Sequence, residues 1–381
     1  MVPFSFETPR AVHFGAGTLD RLGAMVTGPG KRTLVLSGSG WFKRSPWKAR
    51  IAEALADHAV EWLSVGSSEP STGALEETRS AAARFAPDRI VAVGGGSVLD
   101  TAKALSGLLR APEPVDRYLE GTEGALAVPG PGIPWIAVPT TAGTGAEVTK
   151  NAVVKSDVLG VKRSMRSPFL LAHAVIVDPR LAVSLPLAET GTSGLDALTQ
   201  LVEAYVTRAA NAFVRSIVEG AFPLMLEALS GLPARPADEE LRAKAGYGAL
   251  MSGIALANAG LGAAHGFAAA VGGLFDVPHG LACAIFLPHV LKANEAVIRQ
   301  DIARLARTCG EAAAEADPVT WLGEQVTRLQ AAFGLPADLR GHGIARERIR
   351  EIAEKSSGTS MRGNPKELSI DERIGILSRV I

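Results

Sequence analysis

The chain contains only two cysteines in 381 residues, Cys283 and Cys309, which excludes a disulfide-stapled scaffold and a cysteine-rich zinc module. It has no excess charge of either sign. With 39 Lys+Arg against 39 Asp+Glu, nothing points to nucleic acid or to an acidic membrane surface as a partner. Polar residues interrupt the apolar windows near 20 residues, and Met1-Val2-Pro3-Phe4-Ser5-Phe6 carries neither a basic region nor a continuous apolar run. Membrane insertion and export are not expected, and a cytoplasmic protein is. No fixed-period repeat or low-complexity tail occurs. What is present is 47% hydrophobic and 20% charged residues, enough to fill a large core. The length predicts about two domains, and the balanced charge predicts small-molecule ligands.

The two halves differ in pattern. Up to about residue 186, β-branched runs at 32–36, 89–93, 135–138 and 174–177 alternate with helical patterns at 47–58 and 97–109. That alternation predicts an α/β N-terminal nucleotide-binding domain with a parallel sheet over residues 1–186. From 187 to 381 apolar residues recur at helical spacing, as in Leu195, Leu198, Val202 and Tyr205, which predicts an all-α C-terminal domain.

Two loops at predicted strand ends carry ligand-binding chemistry. In Ile90-Val91-Ala92-Val93-Gly94-Gly95-Gly96-Ser97-Val98-Leu99-Asp100 a strand runs through glycines into a helix, so backbone N–H groups and the positive helix end can meet a pyrophosphate. The same residues also read as a tight turn with a Ser97/Asp100 capping box. In Pro139-Thr140-Thr141-Ala142-Gly143-Thr144-Gly145-Ala146-Glu147-Val148-Thr149, hydroxyls among glycines can hold phosphate, ribose or carboxamide, or simply form a turn. Ligands of open parallel sheets collect at strand C-termini, so the pair together favours a nucleotide.

In the second half Asp196 and Gln200 share one helix face by their spacing. Gly272, Gly273 and Pro278 bend the chain so that His279 can return towards His265. An acid and two imidazoles brought together make a divalent-metal site with open positions. Each His taken alone also reads as a core residue bonded to a carbonyl, and His289 reads as structural.

Taken together these motifs resemble the iron-containing, group III alcohol dehydrogenases of the dehydroquinate synthase-like fold: Phe14-Gly15-Ala16-Gly17, Gly94-Gly95-Gly96-Ser97-x-x-Asp100-x-x-Lys103, the Pro139–Glu147 loop, Asp178-Pro179, Asn258-Ala259-Gly260-Leu261-Gly262 and Pro278-His279-Gly280. The resemblance implies a nicotinamide cofactor contacting Gly95, Gly96, Ser97, Asp100, Thr140, Thr141, Thr144, Thr149, Asn151 and Lys162. It also implies a divalent metal, iron or zinc, held at Asp196, Gln200, His265 and His279, with Asp196, His265 and His279 catalytic. In the family the second metal position is a His, so Gln200 is expected to weaken iron binding. Ala269 likewise stands where many members place another His. The implied reaction is hydride transfer between nicotinamide and a metal-polarised carbonyl of a small aldehyde, ketone or alcohol, in a homodimer. Gly38 replaces the Asp that family members preferring NAD commonly carry after the first nucleotide-domain strand. With Ser39 and the nearby Lys43 and Arg44, it predicts NADP(H) over NAD(H). Other expectations are a reductase of an anionic oxo acid or oxo phosphonate, maleylacetate reductase-like, with Lys150, Arg163, Arg166 and Arg362 as the anion clamp; a lyase of the dehydroquinate synthase type; and a nucleotide-binding scaffold without activity.

Overall fold

The computed structural model describes residues 3–26, 31–38, 40–66, 70–311, 314 and 316–381, except the side chains at 41, 43 and 161. The chain separates into two compact units. One comprises residues 7–141 and 146–182, the other residues 1–6, 142–145 and 183–381.

The first unit is built on a six-stranded parallel sheet. Its strands are β1 (Ala11–Phe14), β2 (Arg32–Gly38), β3 (Ala59–Val65), β4 (Arg89–Gly94), β5 (Trp135–Pro139) and β8 (Ala174–Val177), in the order β1-β8-β5-β4-β2-β3. A separate antiparallel hairpin joins β6 (Asn151–Ser156) to β7 (Val161–Arg166). The central strands carry continuous apolar stretches at 34–36, 90–93, 135–138 and 174–177 because both faces are covered. Val35, Val91, Val93, Ile136, Val138 and Ile176 alternate onto one face and pack with Leu22 and Ile51 from the short flanking helices. The helix Gly96–Leu108 is also buried along most of its length. The edge strands β1 and β3 alternate in exposure instead.

The second unit is helical, with principal helices Leu187–Val206, Ala212–Gly231, Glu239–Ala259, Ala263–Phe275, His279–Thr308 and Pro318–Ala332 around one core. Leu195, Leu198, Leu201, Val202 and Tyr205 form the buried stripe of the first. Despite its polar interruptions, His279–Thr308 is long and apolar enough to cross a membrane, and 61% of its apolar window is buried inside the fold. Its apolar side chains are therefore used in this core. Segment 142–145 packs against the helices. At Gly145, φ is +61° and an added Cβ would stand 2.3 Å from the Gly253 Cα, so both conformation and clearance require glycine there.

Candidate metal and nucleotide sites

Three helices of the second unit bring the metal candidates together. Asp196 lies in the middle of Leu187–Val206, His265 in the first turn of Ala263–Phe275, and His279 at the start of His279–Thr308. The Asp196 Oδ1 atom is 3.3 Å from His265 Nε2 and 3.9 Å from His279 Nε2. Cys283, four residues after His279 on the same helix face, completes the cluster, and one donor atom from each of the four lies within 4.8 Å of the others. The bend expected around Gly272, Gly273 and Pro278 does return His279 to His265, with ring centroids 5.5 Å apart.

Gln200 sits beside this cluster in a different orientation from a ligand. Its Nε2 donates to Asp196 Oδ2 at 3.1 Å, and its Oε1 accepts from Ser252 Oγ at 2.7 Å. Ala269 is exposed on the helix that carries His265.

Glu203 sets the orientation of His265. Two turns further along the face that carries Asp196, its carboxylate accepts from the backbone N–H groups of Gly262 (2.9 Å), Ala264 (2.7 Å) and His265 (3.4 Å). The helix Ala263–Phe275 has no side-chain cap of its own, so a carboxylate from a neighbouring helix satisfies its free donors and meets its positive end. The same carboxylate lies 2.6 Å from His265 Nδ1, which fixes that nitrogen as the protonated one and turns Nε2 towards Asp196.

The cluster is electrostatically unbalanced. Burial alone would keep both imidazoles neutral, but Cys283 and Asp196 outweigh it at each, with Glu203 adding at His265. His265 is thereby pushed well above the ordinary imidazole range and His279 up to about 9. Burial would raise the Asp196 carboxyl, yet contact with His265 and the charge of His279 hold it below the usual range. A buried group of donors that draws in positive charge is what a divalent cation competes for. The atoms that would face such an ion are also the ones left over. The approach of Asp196 Oδ1 to His265 Nε2 is not a hydrogen bond, so among the described residues both atoms are buried without a hydrogen-bond partner. Orphaned buried polar atoms of this kind are rare and costly, and a metal ion that displaces the proton satisfies both. The residues present therefore fit the metal that the resemblance implies.

The nucleotide candidates lie mainly in the first unit. Gly38 ends β2, Gly94 ends β4 and Pro139 ends β5, and these strands are immediate neighbours. The glycine and hydroxyl turns meet. Thr140 N–H donates to the Gly94 carbonyl at 3.1 Å, and an added Cβ on Gly95 would stand 3.2 Å from Thr141 Cγ2. Gly95 is the N-cap of the helix Gly96–Leu108, so Ser97 lies inside the first turn and is not the cap residue that a capping box with Asp100 requires. Open helix-start N–H groups beside Thr141 suit a pyrophosphate.

Asp100 and Thr149 are used within the protein. Lys103, fully buried, donates to Asp100 Oδ1 (2.9 Å), Thr149 Oγ1 (2.7 Å) and the Asn151 carbonyl (2.8 Å), and Asp100 Oδ2 accepts from Val153 N–H (3.1 Å). This network ties the helix to β6. Lys162 lies on β7 opposite Lys155. Thr144 belongs to the segment packed with the helical unit, where its carbonyl is 3.5 Å from Gln200 Nε2. Ser39 and the Lys43 side chain lie outside the described residues, while Arg44 is exposed. Of the anion-clamp candidates, Lys150 pairs with Glu7, Arg166 Nε with Glu120 Oε1 at 3.0 Å, and Arg362 with its own turn at Ser357 and Thr359.

Two residues in or beside the cluster escaped the reading of motifs. Glu203 stands at i+7 from Asp196 and Cys283 at i+4 from His279, and both spacings were visible in the sequence. What each meets depends on how three helices pack.

Residues 9–179 match the iron-containing alcohol dehydrogenase family, and residues 190–381 match the C-terminal part of the Fe-containing alcohol dehydrogenase family. The chain is 29% identical over 377 residues to an NADPH-dependent butanol dehydrogenase of Clostridium saccharobutylicum, covering 96% of this chain and 95% of that one. It is 26% identical over 388 residues to an NAD-dependent methanol dehydrogenase of Bacillus methanolicus, covering 99% and 100%. Among solved structures, a 1,3-propanediol oxidoreductase superposes with a TM-score of 0.92 at 28% identity, covering 100% of both chains.

Proposed function

This chain belongs to the iron-containing alcohol dehydrogenase family, with its dehydroquinate synthase-like fold; taking that as the premise, we propose that it is a metal-dependent, NAD(P)H-linked alcohol dehydrogenase or aldehyde reductase acting on a small aldehyde, ketone or alcohol. The observation that carries the proposal is the pair of buried atoms, Asp196 Oδ1 and His265 Nε2, that face His279 and have no hydrogen-bond partner among the described residues. When bound, a divalent metal supplies Lewis acidity at a carbonyl oxygen and the reduced nicotinamide supplies hydride.

The chain's own residues have separable tasks in this reading. Asp196, His265 and His279 hold the ion, and Glu203 fixes the His265 tautomer. Gly95, Gly96, Ser97, Thr140 and Thr141 receive the cofactor phosphates, while Asp100, Thr149 and Asn151 act through Lys103 by holding the helix that presents them. Butanol and methanol in the relatives' names support small substrates. Those two relatives differ in cofactor, so the preference for NADP(H) rests on Gly38, which offers no carboxylate to repel a 2′-phosphate. The protein is expected to work as a cytoplasmic homodimer.

The test combines metal analysis of purified wild type and Asp196→Ala with an aldehyde and ketone screen using NADPH and NADH. Metal bound by wild type and lost from the variant, with turnover lost alongside it, is the expected result. Unchanged metal content and turnover in Asp196→Ala would overturn the assignment.

A further inference from the structure

The reading above leaves the ion with three protein ligands, Asp196, His265 and His279, and the arrangement of the cluster offers a fourth donor. Resting on that reading of Asp196, His265 and His279, we propose that the Cys283 thiolate is the fourth metal ligand, giving an Asp-His-His-Cys site that prefers zinc or cobalt to ferrous iron.

The distances carry the argument. Metal bonds of about 2.0–2.1 Å to nitrogen or oxygen and about 2.3 Å to sulfur place neighbouring donors about 3.3–3.6 Å apart around a tetrahedral ion. The observed separations are 3.3 Å for Asp196 Oδ1 to His265 Nε2, 3.7 Å for Cys283 Sγ to His279 Nε2 and 3.9 Å for His279 Nε2 to Asp196 Oδ1, with every pair of donors inside 4.8 Å. Those three separations lie within a few tenths of an ångström of the edges of a tetrahedral shell, and the remaining pairs lie inside 4.8 Å.

Position agrees with distance. Cys283 is fully buried, and the i, i+4 spacing puts it on the face of helix His279–Thr308 that presents His279. The independent sign of a ligand is the pair of orphaned atoms already described, both on residues at least nine-tenths buried and both aimed into this cluster. Gln200, by contrast, has its oxygen committed to Ser252 and offers Asp196 an N–H. Gln200 is thus a positioning residue for the carboxylate.

Charge also balances. On binding, the thiol proton leaves to solvent and a metal–sulfur bond forms, as coordination deprotonates a thiol outright. One carboxylate and one thiolate then neutralise a divalent ion. Thiolate is a soft donor, which moves selectivity towards zinc and away from the harder ferrous ion.

The experiment loads the full-length protein with Co(II), a spectroscopic substitute for zinc, and records the absorption spectrum of wild type, Cys283→Ser, Cys283→Ala, Gln200→Ala and Asp196→Ala. Wild type should show a near-ultraviolet sulfur-to-cobalt charge-transfer band, which Gln200→Ala should keep and both Cys283 variants should lose. Their cobalt affinity should fall by more than the roughly 10- to 100-fold cost of losing an outer partner of a ligand. Wild-type protein that binds cobalt through Asp196 but shows no thiolate band overturns the Cys283 proposal alone. Cobalt binding that Asp196→Ala leaves intact, or no binding by wild type, overturns the underlying metal site as well. The wild-type spectrum decides the matter even if a Cys283 variant fails to fold.

Discussion

Replacing Glu203 with Gln keeps the size of the side chain and removes its charge, and the structure fixes what must follow. Four donors converge on this carboxylate: three backbone N–H groups at the start of helix Ala263–Phe275 and His265 Nδ1. An amide has one acceptor oxygen and turns an NH2 towards the others, so one or two buried donors lose their partner. At about 1–3 kcal/mol for each unsatisfied buried group, the metal-free protein should lose roughly 1–6 kcal/mol of stability. The imidazole is also released from its tautomer, and metal affinity should fall by about 10- to 100-fold. Urea unfolding with and without zinc reads both losses. Because an ion that binds only the folded state stabilises it by RT ln(1 + [L]/Kd), the zinc-dependent increment should shrink by about 1.4–2.8 kcal/mol. A Glu203→Gln protein within about 0.5 kcal/mol of wild type, with its zinc increment intact, would refute the positioning role.

Glu147 is pushed up to about 7 by burial, against the opposing effects of its own backbone N–H and of Lys103. The folded protein therefore keeps a proton that the unfolded chain releases from about pH 4.5, and stability should fall by about 3 kcal/mol as pH rises through that window to 7. Glu147→Gln should flatten this slope in paired unfolding curves at pH 5 and pH 8; an unchanged slope would count against it. Gly280→Ala would place a Cβ 2.2 Å from the Thr192 carbonyl oxygen and 3.1 Å from Asp196 Cβ, so overpacking should cost roughly 1–3 kcal/mol and weaken metal binding; wild-type melting and metal affinity would contradict this. At Gly38 an added Cβ meets nothing within 4 Å among the described residues, so Gly38→Asp should fold normally and move the kcat/KM ratio towards NADH. No movement would remove Gly38 from the account of cofactor choice.

The parts of the fold that were legible in the sequence are those where burial is two-sided. Runs 32–36, 89–93, 135–138 and 174–177 lie within β2, β4, β5 and β8, the four inner strands of the sheet, because a strand covered on both faces reads as a near-continuous apolar run. The edge strands Ala11–Phe14 and Ala59–Val65, and the hairpin of β6 and β7, carry mixed patterns and were not read as strands. The site divides in a similar way. Asp196, His265 and His279 were identified from motifs, and Asp196 with Gln200 from helical spacing. The roles of Glu203 and Cys283 depend on helix packing, and the orientation of Gln200 depends on Ser252, 52 residues away. The buried network of Lys103 with Asp100, Thr149 and Asn151 was likewise hidden, since residues that read as ligand contacts serve to hold a helix.

The most direct test of the account is the rate of NADPH oxidation in the presence of a small aldehyde, measured on one preparation before chelation, after chelation and after zinc is restored. The account predicts that the stripped protein remains folded, loses turnover, and regains it on stoichiometric zinc. Full turnover by the stripped protein would contradict it.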